Sequence, residues 1–467
     1  MQMMPRIEQP PSVWRMRTNV RWNLVGNVVY AIGQCLQLVI LARMGGPAAV
    51  GEYAFALALT GPVMVFASLC LRFMHASDAH SVYLFREYLY LRCATTVAAV
   101  FGVVIIAGVT GVSHGSWSVL LPVCGMRAAD ALSDIYYGVW QGHERMSVIA
   151  WAMILNSVSS IAFMTAAAML GGGVPGAAVG SALGSCTALL FVRLRTASDS
   201  EVQRAVTSGS GPVAWRRVLR LSVEAAPLGF ILLLSSLQQN VPRFFVQRYA
   251  GEAALGLFAA ASQLTAAAEI VGGALAGAAG PRLARLFANG EVGSFRKLTS
   301  KLTAAGLVLG AAGVLFSLLA GRWFLVHLYR PEFASGTRML VVLSAAAGMG
   351  LVTSFLGYAL TSARVITVQP VLLTVTLTIL VMCCVTVVPR YGGNGAAWAL
   401  VAASSAHALV SWLALHKFAW KQSESLRPDV GLQKSFSIGS TAPESLSKSH
   451  QQARVFPYWQ VGETSNK

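Results

Sequence analysis

Apolar residues run along this chain in long blocks rather than at alternate positions. Blocks of roughly 20 residues, each long enough to cross a bilayer as a helix, recur from one end to the other. Twelve can be drawn, near 23–42, 52–71, 93–112, 117–139, 147–170, 174–192, 219–240, 253–279, 300–320, 335–361, 366–388 and 394–416. The strict alternation of a membrane β-barrel is missing. The pattern predicts an all-α polytopic membrane protein with about twelve transmembrane helices.

One stretch occurs twice. Residues 43–60 and 248–265 align at a constant offset of 205 with nine of eighteen positions identical, among them Arg43/Arg248, Gly46/Gly251, Gly51/Gly256 and Thr60/Thr265. Each copy links the first apolar block of a six-block half to the second. Six is even, so both halves enter the membrane in the same orientation, and the duplication predicts two parallel six-helix repeats. The expected organisation is an N-terminal cytoplasmic segment (1–22), a first lobe (23–192), a cytoplasmic linker (193–218), a second lobe (219–418) and a tail (419–467). Serine, glycine and proline between 198 and 212 mark the linker as flexible. The serine-rich, mixed-charge composition of the tail predicts disorder. Gly176, Gly180 and Gly184, like the pairs Gly273/Gly277 and Gly306/Gly310, have the spacing of close helix contacts, expected inside a lobe rather than between molecules.

Composition agrees with the membrane reading. Hydrophobic residues make up 55% and charged residues only 11%, and the mean hydropathy is +0.61. The net charge of +17 does not point to nucleic acid, because the basic residues are spread among loops rather than gathered in one patch. Of the 35 lysines and arginines, 27 fall at the N-terminus, the even-to-odd loops with their adjoining helix ends, and the C-terminus, against six in the odd-to-even loops. That bias puts both termini in the cytoplasm. The seven cysteines all sit in apolar blocks and read as small core residues. No P-loop, HExxH or GxSxG motif is present, so neither ATP-driven transport by this chain alone nor hydrolysis is indicated. No metal site or cofactor is expected, and no enzyme.

The remaining candidates for chemistry are charges and amides at bilayer depth, where an ionisable group is costly and faces a cavity or a partner. Span four carries Arg127, Asp130 and Asp134, whose spacing places them on one helix face. Two readings stand. In one, Arg127 and Asp130 form a self-neutralising pair. In the other, the face is the wall of a central cavity, with Arg127 meeting an anionic substrate and an aspartate taking up a proton. Glu224 and Glu269 are single carboxylates in apolar settings and candidate ion-coupling groups, although Glu224 lies near a cytoplasmic end. Span one presents Asn27, Tyr30, Gln34 and Gln37 on one face, and span seven ends in Ser235, Gln238, Gln239 and Asn240. Polar first helices in both halves favour a cavity between the lobes. Arg43, Arg243 and Arg248 lie at external helix ends, as candidate cavity cations or as arginines reaching to lipid phosphate.

Several stretches resemble one family. ILARMGGPAAVGEYAFALAL (40–59), GVWQGHERM (138–146), QQNVPRFFVQRYAGEAALGLFAAASQL (238–264), GPRLARLFANGE (280–291), ALTSARVITVQP (359–370) and YGGNGAAWA (391–399) are similar in order and spacing to the Wzx-like polysaccharide flippases of the multidrug/oligosaccharidyl-lipid/polysaccharide exporter superfamily. The resemblance spans residues 15–420. It implies a MATE-like fold of two lobes around a central cavity, working by alternating access. It also implies an undecaprenyl-pyrophosphate-linked oligosaccharide as substrate, flipped across a bacterial inner membrane for O-antigen, exopolysaccharide or capsule, with membrane lipids and polysaccharide polymerase or export machinery as partners. Arg243 matches a basic position of the family, but Pro242 replaces the acidic residue that usually precedes it. The alternatives are a cation-coupled drug antiporter of the same superfamily, a peptidoglycan-precursor flippase, which often has extra spans, and a membrane glycan polymerase, which typically has a larger external loop.

Overall fold

The computed structural model describes residues 13–78, 82–207, 213–365 and 368–419, and all regular structure among them is helical. The elements are α1 (Val13–Ser68), the short α2 (Leu71–Ser77), α3 (Phe85–Val109), α4 (His114–Gly142), α5 (Met146–Met169), α6 (Gly173–Ser198), the short α7 (Ser200–Thr207), α8 (Trp215–Ala288), α9 (Val292–Leu328), α10 (Thr337–Ser362) and α11 (Gln369–Ala414). Eight helical stretches are long and apolar enough to cross a membrane. The helices are apolar all round, and large side chains such as Phe101, Ile105, Val109, Leu318 and Leu319 point outward. Such an exterior suits hydrocarbon as solvent, in which only helices that satisfy their own backbone can span.

The three longest helices are each broken by glycine. Gly46 (φ 66°, ψ −158°) interrupts α1, Gly251 (φ 82°, ψ 180°) interrupts α8, and Gly392 (φ 54°, ψ −133°) interrupts α11. This left-handed, extended backbone is open essentially to glycine alone. Gly46 and Gly251 are equivalent positions of the duplicated stretch. Pro47 restarts α1, its missing N–H coinciding with an unpaired helix-start donor. Counting each side of the breaks, the described residues form twelve long helical segments. The breaks fall in the loops expected after spans one, seven and eleven. Helices run past the expected spans, α9 by about two turns at each end, because hydropathy registers bilayer thickness while backbone bonding continues into Arg/Lys-rich turns.

Helices α3 to α6 pack chiefly on one another and on α1, and α9 to α11 pack on one another and on α8. The most extensive packing between these groups is α1 against α8. At its centre the two copies of the duplicated stretch meet. A Cβ added to Gly51 would collide with the carbonyl of Glu252, and one added to Gly256 would collide with the carbonyl of Pro47. The identical spacing of the copies thus brings backbone against backbone. The apolar core built around this seam includes Leu41, Val50, Tyr53, Leu255, Phe258 and Phe333.

The glycine spacings divide. Gly180 and Gly184 pack on the backbone of α5 at Met164 and Ser160, and Gly306 and Gly310 lie on α10 at Phe355 and Gly348. Gly273 and Gly277 face open space instead. The expected flexible linker differs too. Residues 193–198 complete α6, and 200–207 form α7, which Asp199 caps. The Asp199 carboxylate accepts hydrogen bonds from the amides of Glu201 and Val202, at 3.2 and 3.3 Å, and ion-pairs with Arg145. Arg145 also reaches Glu201 at 3.0 Å. Capping and ion pairing order a stretch whose composition alone reads as loop. Residues 208–212, the N-terminal twelve and the tail from 420 lie outside the described residues.

Two outcomes are expected. Gly51→Ala or Gly256→Ala should destabilise the α1–α8 contact by about 1–3 kcal/mol, since a methyl group must displace backbone. A melting temperature equal to wild type would refute the seam's tight fit. At the start of α7, the Val202 amide and then Arg145 hold the Asp199 carboxyl below the usual carboxylate range. Its contribution is therefore present above the ordinary pKa of about 3.9 and lost as pH falls through the lowered value. The protection factors of the 199–207 amides, taken against the intrinsic exchange rate at each pH, should fall on acidification through that range in wild type, and be low and independent of pH in Asp199→Asn.

Candidate functional site

Helix α4 carries its charges into the bundle. Arg127, Asp130 and Asp134 lie on one face, and all three line a cavity of about 620 Å³. Tyr30 and Gln34 of α1 and Gln239, Asn240 and Arg243 of α8 supply other polar lining groups. The first helices of both halves therefore contribute to one cavity, as their amide-rich faces suggested. Past the seam, the wall continues through Ala54, Gly61 and Ser68 of α1 and reaches Arg72 and Arg92.

Of the two readings of this face, the direct Arg127–Asp130 pair does not form among the described residues. Asp130 is taken by α5, where Asn156 Nδ2 donates to its Oδ1 at 3.1 Å. Ser160 in turn donates to Asn156 Oδ1 at 3.2 Å, and Asn156 also reaches Ser185 at 3.4 Å. These hydrogen bonds hold the carboxylate with no cation in direct contact, although Arg127 lies within electrostatic reach. Arg127 makes no ion pair or hydrogen bond among the described residues, and its Nε is buried without an acceptor. Arg243 donates from Nη1 to Asn240 Oδ1 at 3.3 Å, while its Nε also lacks an acceptor. A buried donor left unpaired costs about 1–3 kcal/mol, more when charged.

Asp134 is paired, with partners the sequence did not single out. Arg92 Nη2 lies 2.8 Å from Oδ2 and Arg72 Nη1 lies 3.3 Å from Oδ1. Both arginines lie between or beside the apolar spans drawn from the sequence, where basic residues read as orientation signals, although Arg92 is two turns inside α3. An aspartate in span four with no cation of its own to neutralise it was the available clue. With these two, the lining holds four arginines against two aspartates, a net positive wall.

Other candidates lie elsewhere. Gln37 is buried away from the cavity with its Oε1 unpaired. Arg43 and Arg248 are exposed and outside the lining, Arg43 donating to the His327 carbonyl at 3.3 Å. Their equivalence reflects the helix break they precede. Glu269 is exposed on α8 and does not line the cavity. Glu224 belongs to a separate cluster, accepting from the Tyr83 hydroxyl at 2.9 Å and from Arg220 Nε at 3.0 Å. Burial, and then Glu224, push that hydroxyl up to about 12. No group of three or more His, Cys, Asp or Glu able to hold a metal occurs among the described residues.

The helical arrangement is similar to solved transporters. The lipid II flippase MurJ in an inward closed conformation superposes with a TM-score of 0.66 at 12% identity, over 88% of this chain and 89% of that one. The MATE transporter VcmN of Vibrio cholerae gives 0.60 at 13%, over 89% and 97%. A MOP superfamily transporter from Pyrococcus furiosus gives 0.61 at 16%, over 89% and 96%. The fold is that of the MATE and MurJ transporters. Residues 16–287 match the family described as polysaccharide biosynthesis protein, and the chain belongs to that family. The capsular polysaccharide biosynthesis protein CapF of Staphylococcus aureus is 23% identical over 334 residues, 70% of this chain and 81% of that one. The family expected from the sequence motifs and the MATE-like fold are both borne out.

Replacing Asn156 by Ala should leave Asp130 as a buried carboxylate without its side-chain donor. A loss of about 1–3 kcal/mol is expected, read as a lowered melting temperature. An unchanged value would mean that Asp130 is held by other groups.

Proposed function

We propose that this protein is a flippase that carries a lipid-linked oligosaccharide, joined to its polyprenyl anchor by pyrophosphate, across the bacterial inner membrane. The observation that carries this reading is the pair of cavity guanidinium groups, Arg127 and Arg243, whose Nε donors have no acceptor in the protein. A pyrophosphate supplies anionic oxygens in the geometry that guanidinium groups bind, and a low-dielectric cavity strengthens the attraction. The amides of Gln34, Gln239 and Asn240 and the ring of Tyr30 suit sugar hydroxyls. The polyprenyl tail stays in hydrocarbon while the head group crosses. The excess of arginine over aspartate speaks against a cationic drug as cargo.

Transport proceeds by alternating access of the two halves. Support comes from the seam at Gly51 and Gly256, which is a compact contact at one end of the cavity, and from α1–α8 packing as the main contact between the halves. Loop charges orient both termini to the cytoplasm, so the seam closes the outer side. Asp130 is the candidate proton or cation carrier, because it alone of the aspartates in the cavity has no arginine on it. Polymerase or export machinery completes the pathway on the outer face.

Complementation tests the reading. In a bacterium lacking its own polysaccharide flippase, the chain should restore surface polymer and clear the accumulated lipid-linked intermediate. Arg127→Ala should abolish rescue at unchanged membrane abundance. Full rescue by Arg127→Ala would remove Arg127 from the substrate path, and polymer synthesis by the purified protein would replace the transport reading with an enzymatic one.

A further inference from the structure

The Arg72–Asp134–Arg92 cluster is the part of the cavity wall that the Arg127–Arg243 site leaves unused. Arg92 is 1% exposed, and its Nε has no acceptor although one of its terminal nitrogens holds Asp134 at 2.8 Å. Arg72 and Asp134 are about one-third exposed, so the cluster is open on one side. Arg72 is fixed in place by Gln141, whose Oε1 accepts from its Nε at 3.0 Å, and by the Tyr137 ring, 5.6 Å from its guanidinium carbon. Two buried or half-buried guanidinium groups therefore converge on a single carboxylate. One positive charge is left over, as are N–H donors that one carboxylate cannot satisfy.

The cluster is also distinct in position. Asp134 lies seven residues beyond Arg127 on α4, about 10 Å along the helix axis. Helical side chains lean toward the N-terminus, which tips Arg127 away from Asp134. Arg127 lies within electrostatic reach of Arg243 and of Asp130, with no direct contact to either. The cavity thus has two cationic stations, one in which no carboxylate touches the guanidinium groups and one in which Asp134 bridges them directly.

We propose that Arg72 and Arg92 form a second phosphate-binding station at one end of the cavity, in which Asp134 occupies the phosphate position until a polyprenyl phosphate or pyrophosphate head group displaces it. The carboxylate keeps two guanidinium groups positioned and prevents them from binding too tightly to let the head group move on. A phosphate oxyanion offers more acceptors than the carboxylate and more charge, so exchange is favourable when the head group arrives. This proposal rests on the flippase reading for the identity of its ligand, but the station itself is testable separately.

The test is binding, measured on the purified full-length chain in neutral-lipid nanodiscs, with the double variant Arg127→Gln/Arg243→Gln as the parent so that only this station is read. The probes are inorganic pyrophosphate and farnesyl pyrophosphate. Adding Asp134→Asn to the parent should tighten inorganic pyrophosphate binding roughly tenfold, because the competing anion is gone. Adding Arg92→Gln as well should abolish the gain. No tightening in Asp134→Asn, or a gain that survives Arg92→Gln, overturns the station. The same pattern with farnesyl pyrophosphate assigns it to a lipid head group, and a pattern confined to the inorganic ion overturns that assignment. Should Asp134→Asn fail to fold, phenylglyoxal labelling of Arg72 in the wild-type chain replaces it. Pyrophosphate should slow the labelling, and unaltered labelling overturns the proposal. Failed complementation with the binding pattern intact would sink the flippase reading and leave the station, whereas rescue without the pattern would sink the station alone.

Discussion

The contact between Gly51 and Gly256 is the constraint around which the two halves are arranged. Polypeptide backbones approach this closely only where neither residue has a side chain, and the approach is made by equivalent positions of a duplicated stretch. Five residues upstream in each copy, Gly46 and Gly251 turn the chain through a conformation that other residues resist. Break and contact together place the helix that follows each break against the other half. In hydrocarbon, where apolar surface gains little by associating, such close packing of small residues is what holds helices together.

Behind the seam, charge decides what the cavity can accept. The four arginines of the lining are treated differently by their surroundings. Arg92 and Arg72 are satisfied in part by Asp134, while Arg127 and Arg243 retain donors that nothing in the protein accepts. Asp130 has the reverse arrangement, with its carboxylate held by an amide and no cation on it. The wall thus combines guanidinium groups with unsatisfied donors and one carboxylate bound by an amide rather than by a cation.

Much of this was legible in the chain. Block length and loop charge gave the membrane class, the duplication gave the two halves, and the order of motifs gave the family. Arg127, Asp130 and Asp134 of span four, for which the sequence left a cavity wall and a self-neutralising pair as alternatives, lie along the cavity, as do the amides of Gln34 and Gln239. Arg43, Arg248 and Gln37 were not, because position at a helix end or on a polar face does not reveal which neighbour that face meets. Arg72 and Arg92 were overlooked for the complementary reason, since a basic residue near a cytoplasmic boundary has an adequate explanation in membrane orientation.

What the sequence determined by itself is therefore one-dimensional: which segments prefer hydrocarbon, where the helices break, and that one half repeats the other. These follow from transfer free energy and backbone geometry, which act residue by residue. Which charges pair was decided only by the tertiary structure. Asp130 and Arg127 are three residues apart on one helix, yet Asp130 is bound by Asn156, 26 residues away, and Asp134 by arginines 42 and 62 residues away. A buried charge settles on whatever partner the packing brings within about 3 Å, and sequence separation has no part in that selection.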